Sequence, residues 1–194
     1  MNVNRSRLGL LLVISGPSGV GKDTIIERLV KLDPNLRYSV SYTTRPARPG
    51  EVEGVNYSFV SRQAFEELVA AGHFLEHASY AGNLYGTPAA PAEAARAEGH
   101  DILLKIEVEG AQQVRKRVPD ALFIFIAPPT SEELVRRQEL RSREANRDMA
   151  ERRRIAEKEM AYARDYDHVV VNDDLDGAVA EVLEIIRRAR ERQT

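Results

Sequence analysis

The segment Leu10–Val30, LLLVISGPSGVGKDTIIERLV, leaves few folds open to this chain. An apolar run from Leu8 ends at Gly16, a glycine-rich turn leads to Lys22, and Ile25, Ile26, Leu29 and Val30 then recur at helical spacing. An unbroken apolar strand belongs at the centre of a parallel sheet covered on both faces. The turn carries its own chemistry. Gly16, Gly19 and Gly21 allow the backbone to curl so that successive N–H groups point at phosphate oxygens. The following helix adds the partial positive charge of its N-terminus, and Lys22 reaches the β- and γ-phosphates. One residue departs from the pattern: Asp23 stands where a serine or threonine hydroxyl is usual.

Further apolar runs repeat the architecture. Tyr38–Ser41, Ile102–Val108, Leu122–Ala127 and Val169–Val171 read as strands. Helical patterns lie at Thr24–Leu32, Ala111–Val118, Ser131–Leu140, Asp148–Arg164 and Leu175–Arg192. Thr130 followed by Glu133 forms a capping-box signature. Strands alternating with helices predict an α/β domain with a parallel sheet. The interval from Tyr42 to Ala95 breaks the alternation. It opens with a Pro/Arg/Gly-rich loop, offers NYSFV as a strand, Arg62–Ala71 as a helix and HFLEHASY as another strand, and reads as a small mixed insertion.

Composition narrows the function classes. With 194 residues, 43% of them hydrophobic, the chain can bury a real core. It has no cysteine, which removes disulfides, thiolate chemistry and cysteine-ligated zinc and suits a cytoplasmic setting. A formal net charge of −2 argues against a general nucleic-acid binder. Arg5 and Arg7 before Leu8–Ile14 look superficially like a signal peptide, but that run passes straight into the glycine turn and is expected to be a buried strand. No run approaches the roughly 18 apolar residues of a membrane span.

Two more anion sites are expected. Arg45 and Arg48 sit three apart on a proline-stiffened loop, where guanidinium forks recognise phosphate in bidentate fashion. Arg136, Arg137, Arg141, Arg143 and Arg152 surround the polar gap Arg141–Arg147, which reads as a lid over a transferring phosphoryl group, with Arg136, Arg153 and Arg154 assigned to the solvated face. His73 and His77 match an H-x-x-E-H zinc motif, but that motif needs a helix and this segment has strand character. No residue set is expected to ligate a metal by itself.

The motifs SGPSGVGK, SVSYTTRPARPGEVEGVNYSFVS, NLYGT, GAQQV, FIAPPT and VVVNDD, in this order from Leu10 to about Ile186, resemble those of the guanylate kinase family, which phosphorylates GMP from ATP. The resemblance implies a phosphate-loop kinase fold: a parallel five-stranded core sheet flanked by helices, a mixed α/β GMP-binding lobe inserted after the second strand, and a helical lid. On that frame 1–194 is one domain, with core 8–41, 96–130 and 165–194, GMP-binding lobe 42–95 and lid 131–164. It implies that Gly16, Pro17, Ser18, Gly19, Val20, Gly21, Lys22, Asp23 and Thr24 wrap ATP, with Asn172 beside the adenine. Lys22, Arg137, Arg141 and Arg152 would be the catalytic cations. Arg45, Arg48, Tyr57 and Tyr85 would hold the GMP phosphate, Ser41, Glu76 and Thr87 would read guanine, and Glu51 would support that loop. The chemistry of Glu76 agrees, because guanine presents N1–H and N2–H₂ side by side and one carboxylate accepts both.

The sequence also departs from the family pattern. Where LLDIDVQGA is common, this chain has LLKIEVEGA, so Lys105 and Glu107 replace aspartates. Glu107 remains a carboxylate for GMP or for magnesium-bound water. The lid has RSRE in place of RGTE, which adds Arg143. Gly21-Lys22-Asp23-Thr24 resembles the G-K-G-T variant of related kinases. Mg²⁺ would be held mainly by ATP phosphates and water, leaving Asp23 to bind that ion or its waters, or to complement the helix dipole. The implied partners are ATP and GMP, with no nucleic acid or membrane, in a monomer or small homo-oligomer. Two rivals remain at this level: a non-catalytic phosphopeptide-binding module of related fold, and a phosphate-loop kinase for another small acceptor.

Overall fold

All five residues of the first strand, β1 (Leu11–Ser15), are buried, because the strand is hydrogen-bonded on both edges and covered on both faces. The computed structural model that shows this describes residues 7–80, 82–142, 154, 158 and 160–193, without the side chains of 138–142. After β1 come α1 (Lys22–Leu32), β2 (Leu36–Tyr38), β3 (Tyr42–Thr43), β4 (Ser58–Phe59), α2 (Arg62–Ala70), β5 (Phe74–Tyr80), β6 (Asn83–Pro88) and α3 (Ala89–Ala97). The rest is β7 (Asp101–Lys105), α4 (Val108–Arg117), β8 (Leu122–Ala127), α5 (Ser131–Ser142), β9 (His168–Val171) and α6 (Leu175–Glu191).

The core is a five-stranded parallel sheet in the order β2-β7-β1-β8-β9. Alternate residues of β1 serve opposite faces, as the pleat requires. Leu12 and Ile14 pack with Ile25, Ile26 and Leu29 of α1 and with Val179, Val182 and Ile186 of α6. Leu11 and Val13 pack on the other side with Ala92 and Ala95 of α3 and Ala111 and Val114 of α4. The result is a three-layer α/β fold whose strands all end at one edge, where open sheets of this kind bind ligands.

A second sheet, in the order β4-β3-β6-β5, is inserted after β2. It is mixed: β3 runs parallel to β4 and antiparallel to β6, and β5 and β6 form an antiparallel hairpin from Glu76↔Thr87 to Tyr80↔Asn83. Phe65 of α2 stacks on Phe74 with ring centroids 4.7 Å apart, giving the insertion its own small core. Gln113 of α4 ties it to the main domain by pairing with both backbone groups of His77, accepting at 3.2 Å and donating at 2.8 Å.

Several boundaries differ from the sequence reading. The second core strand is Leu36–Tyr38 rather than Tyr38–Ser41. Ser39 makes one more backbone bond, to Leu103, and the chain then crosses into the second sheet. The strand expected at Ile102–Val108 stops at Lys105, and α4 begins at Val108 rather than Ala111. α1 begins at Lys22 rather than Thr24, so Lys22 and Asp23 belong to its first turn. β6 and α3 were absent from the sequence reading. The α5 start shows half of the expected capping box: Thr130 Oγ1 accepts from Glu133 N at 3.1 Å, while the Glu133 side chain turns to Arg136 and Arg137. Of the helix expected at Asp148–Arg164, residues 154, 158 and 160 are helical, 161 and 162 form a turn and Ala163–Asp165 is a 3-10 turn; 148–153, 155–157 and 159 lie outside the described residues.

Candidate active site

The glycine loop links β1 to α1 at the strand ends. Gly16, Gly19 and Gly21 all take positive φ, at 144°, 93° and 98°. Gly21 is needed twice over, because a Cβ there would also lie 2.5 Å from the Asn172 amide nitrogen. That amide donates to the Val20 carbonyl at 2.7 Å, and the Asn172 carbonyl accepts from Arg137 at 3.1 Å. Asn172, expected beside adenine, therefore joins the glycine loop to α5. Lys22 Nζ donates to the Gly16 carbonyl and, at 3.1 Å, to that of Pro17, which places its charge inside the loop.

Among the expected lid cations, Arg137 is half-buried and pairs with Glu133 at 2.8 Å. Arg136 pairs with the same carboxylate from the solvent side, and the two guanidiniums hold Glu133 down at about 2. Arg141 lies on α5 without a described side chain, and Arg143 and Arg152 lie outside the described residues.

The second sheet gathers the residues expected to hold GMP. Glu76 opposes Thr87 across the β5–β6 ladder, and Tyr85 is two residues from Thr87, hence on the same face. Ser41 approaches from the start of β3. Ser41, Glu76 and Thr87 are all buried. Thr87 Oγ1 donates to Glu76 Oε1 at 2.6 Å. Burial, opposed by the Thr87 hydrogen bonds and reinforced by the charge of Glu107, pushes the Glu76 carboxyl up to about 7. A carboxylate so placed is costly to ionise until donors arrive.

At the other end of the same face, Arg45 holds Glu51 through both guanidinium nitrogens, at 2.9 and 2.7 Å, and Glu51 also accepts from Arg48 N at 2.7 Å. The Arg45 hydrogen bonds hold the Glu51 carboxyl below its usual range. Glu51 thus joins the Arg45 side chain to the Arg48 backbone within the loop. Arg45 lies over the Tyr57 ring, 5.4 Å from its centroid, and Tyr57 meets Tyr85 edge-on at 6.0 Å. Arg48 is exposed at the rim. The site therefore has a carboxylate end and a cationic, phenolic end on one sheet face, facing the glycine loop across the ends of the core strands.

A family model described as guanylate kinase matches residues 9–189. The chain belongs to the guanylate kinase family. Guanylate kinases from two strains of Thermus thermophilus are 49% identical to it over 184 residues, covering 95% of this chain and 83% or 82% of theirs. The guanylate kinase of Streptococcus pyogenes serotype M3 is 47% identical over 182 residues, covering 93% of this chain and 86% of its own. The crystal structure of guanylate kinase from Anaplasma phagocytophilum matches with a TM-score of 0.80 at 35% identity, over 94% of this chain and 87% of that one.

Family membership gives the remaining contacts a context. GAQQV puts Gly110 and Gln113 three apart on one face of α4, against β5. Gln113 clamps His77, and a Cβ on Gly110 would overlap the Glu76 carboxylate, so that glycine makes the room Glu76 occupies. Ser15 Oγ donates to the Ile106 carbonyl at 2.8 Å, fixing the turn that carries Glu107 at the N-cap of α4. His77 sits on strand β5 with His73 just before it, and residues four apart on an extended chain are about 13 Å apart, too far to share one ion. Among the described residues no group of three or more His, Asp or Glu is arranged to hold a metal ion. Asp23 supplies a hard oxygen, but it is paired with Lys105 at 2.7 Å, an arrangement that fits an ion carried in by nucleotide phosphates rather than caged by protein. In the sequence Asp23 and Lys105 are separate departures 82 residues apart, and only the fold brings them into contact.

Proposed function

We propose that this protein transfers the γ-phosphoryl group of ATP to the phosphate of GMP, giving ADP and GDP, with the second sheet as acceptor site and the glycine loop as donor site. The observation that carries this reading is Glu76: a carboxyl 4% exposed, beside Thr87, in a pocket with space made by Gly110. Guanine brings two adjacent N–H donors that satisfy such a carboxylate, whereas adenine has no such donor pair and would leave it buried with Thr87 as its donor. Ser41 and Thr87 complete the base end, and Arg45, Arg48, Tyr57 and Tyr85 hold the acceptor phosphate with Glu51 fixing Arg45. That phosphate has a second pKa of about 6, so its attacking oxygen needs no general base at neutral pH. As it bonds to the γ-phosphorus, the bond to the β–γ bridging oxygen breaks and ADP leaves with the electron pair.

Little covalent work is left to the protein, so charge and positioning dominate. Gly16–Thr24 cradles the ATP phosphates, Lys22 follows the developing charge, and Arg137, Arg141 and Arg152 approach as the lid 131–164 and the lobe 42–95 close on the core. Asn172 positions the loop on the adenine side. ATP phosphates and water would hold Mg²⁺, with Glu107 available to its bound water, and the ion would supply charge neutralisation. ATP and GMP are the proposed partners, in a cytoplasmic enzyme; among the described residues no helix is long and apolar enough to cross a membrane. A coupled assay with ATP and Mg²⁺ tests the reading by comparing GMP, AMP, UMP and CMP. GMP should be preferred by about 10⁴-fold or more in kcat/KM. Comparable turnover of AMP would overturn it.

A further inference from the structure

Lys105 ends β7 at the junction of the two substrate sites. Its ammonium donates to Asp23 Oδ1 at 2.7 Å, in the first turn of α1 directly after Lys22. The Tyr38 hydroxyl also lies within reach of its charge. On its other side it lies 5.5 Å from the centroid of Tyr57, the ring that Arg45 approaches to 5.4 Å. One lysine thus touches the donor loop's helix and the acceptor-phosphate ring together. Its side chain is 23% exposed, while that of Asp23 is 60% exposed. Burial opposes the lysine's charge, but Tyr38, Asp23 and Tyr57 outweigh it and move its pKa up, so it is a cation at any working pH.

An acid at position 23 is an electrostatic problem by itself. The phosphate-loop pattern places a neutral hydroxyl there, and a carboxylate in this turn sets a like charge beside the phosphates the loop must bind. We infer that Lys105 is a positioning residue for both substrates: it neutralises Asp23 so that the loop can accept ATP, and through Tyr57 it holds the acceptor-phosphate pocket in register with that loop. The two departures from the family pattern are then one substitution made in two places. Asp23 is not expected to be tolerated with Lys105 removed, whereas the arm of Lys105 that runs through Tyr57 does not need Asp23.

This inference rests on the donor and acceptor assignment above, and its test separates the two. Calorimetry with a non-hydrolysable ATP analogue plus Mg²⁺, and separately with GMP, is run on the intact protein and on Lys105→Met, Lys105→Arg, Asp23→Asn and the Asp23→Asn/Lys105→Met double variant, each with a thermal melt. Lys105→Met should weaken the ATP analogue by about tenfold or more, the scale of one unit charge a few ångströms from phosphate near a protein surface. Adding Asp23→Asn should restore that affinity to within about threefold, because the uncompensated charge is gone. GMP binding should also weaken in Lys105→Met, and Asp23→Asn should not restore it, because that arm runs through Tyr57. Lys105→Arg should keep both affinities within about threefold. Additive losses for the ATP analogue, or melts that shift while both affinities stay unmoved, would overturn the inference. Failure of the unmutated protein to bind GMP would instead overturn the assignment beneath it.

Discussion

Glu76 is 4% exposed, and burial lifts its carboxyl from 4.5 to about 7. Because the folded-state value lies above the unfolded one, the folded chain binds more protons between pH 4.5 and about 7. Stability therefore falls as pH rises through that window, and the penalty is complete above it. At about 1.4 kcal/mol per pH unit, the ionised Glu76 costs the nucleotide-free protein about 3 kcal/mol at pH 8. Glu76→Gln removes that penalty and keeps an oxygen to accept from Thr87, while burying an amide N–H₂ that costs about 1–2 kcal/mol wherever it lacks an acceptor. The variant should be the more stable protein at pH 8 by about 1–2 kcal/mol and the less stable one at pH 5. From pH 5 to 8 the penalty grows by about 2.5 kcal/mol, so the difference in Tm between the two proteins should swing by roughly 5–10 °C, at 2–4 °C per kcal/mol for a chain of this size.

Melts of both proteins at pH 5, 6, 7 and 8 without nucleotide measure the swing. A difference in Tm that stays constant from pH 5 to 8 would refute the reasoning, since the charge of Glu76 would then cost the fold nothing. Ligand binding supplies the converse. If guanine pairs with the ionised carboxylate, GMP affinity falls by about tenfold for each pH unit below about 7. The GMP phosphate titrates near 6 as well. Glu76→Gln retains that contribution and loses the other, so the two proteins together separate them. The stabilised variant should thus be the one that has lost discrimination between GMP and AMP.

Two further changes probe different parts of the molecule. Gly110→Ala drives a methyl into the Glu76 carboxylate and should raise the KM for GMP by about tenfold or more while leaving that for ATP within twofold, measured by steady-state kinetics with each substrate varied in turn. Asp101, fully buried, accepts from Arg7 at 2.7 Å, Arg190 at 2.6 Å and the Leu10 backbone at 2.7 Å, tying the first described residues to α6; Asp101→Asn should cost about 3 kcal/mol in urea unfolding without altering either KM.

The parts of the fold legible in the sequence are those whose signal is local. Leu122–Ala127 has the same bounds in sequence reading and structure because six consecutive residues must satisfy two covered faces at once. α6 differs from the reading by one residue, since its apolar stripe repeats over five turns. β6 escaped because NLYGTP carries three turn-forming residues, Asn83, Gly86 and Pro88, and its strand character comes from partners on both sides rather than from its own side chains. α3 escaped because AAPAEAARA has little apolar contrast between faces. Its Pro91 reads as a breaker yet lies in the first helical turn, where a missing N–H does no harm.

The site divides along the same line. The glycine loop is contiguous, so strand before and helix after were enough to place it. Arg45, Glu51 and Tyr57 lie within thirteen residues and could be grouped from one motif. The pairing of Glu76 with Thr87 is different: it exists only because the β5–β6 hairpin holds one register, and a slip of a single residue would turn both side chains to the opposite face. Lys105 and Asp23 are further apart still, one at the end of β7 and the other in the first turn of α1, the helix that the glycine loop joins to β1, and they meet because β1 and β7 are neighbours in the sheet. Each by itself looks like damage to a motif, an acid in a phosphate loop and a base where an acid is usual. The parallel pairing of β1 with β7 brings them together as opposite charges, and on the inference above it is through such a contact between a strand end and the neighbouring helix that a phosphate loop tolerates a residue its own motif would reject.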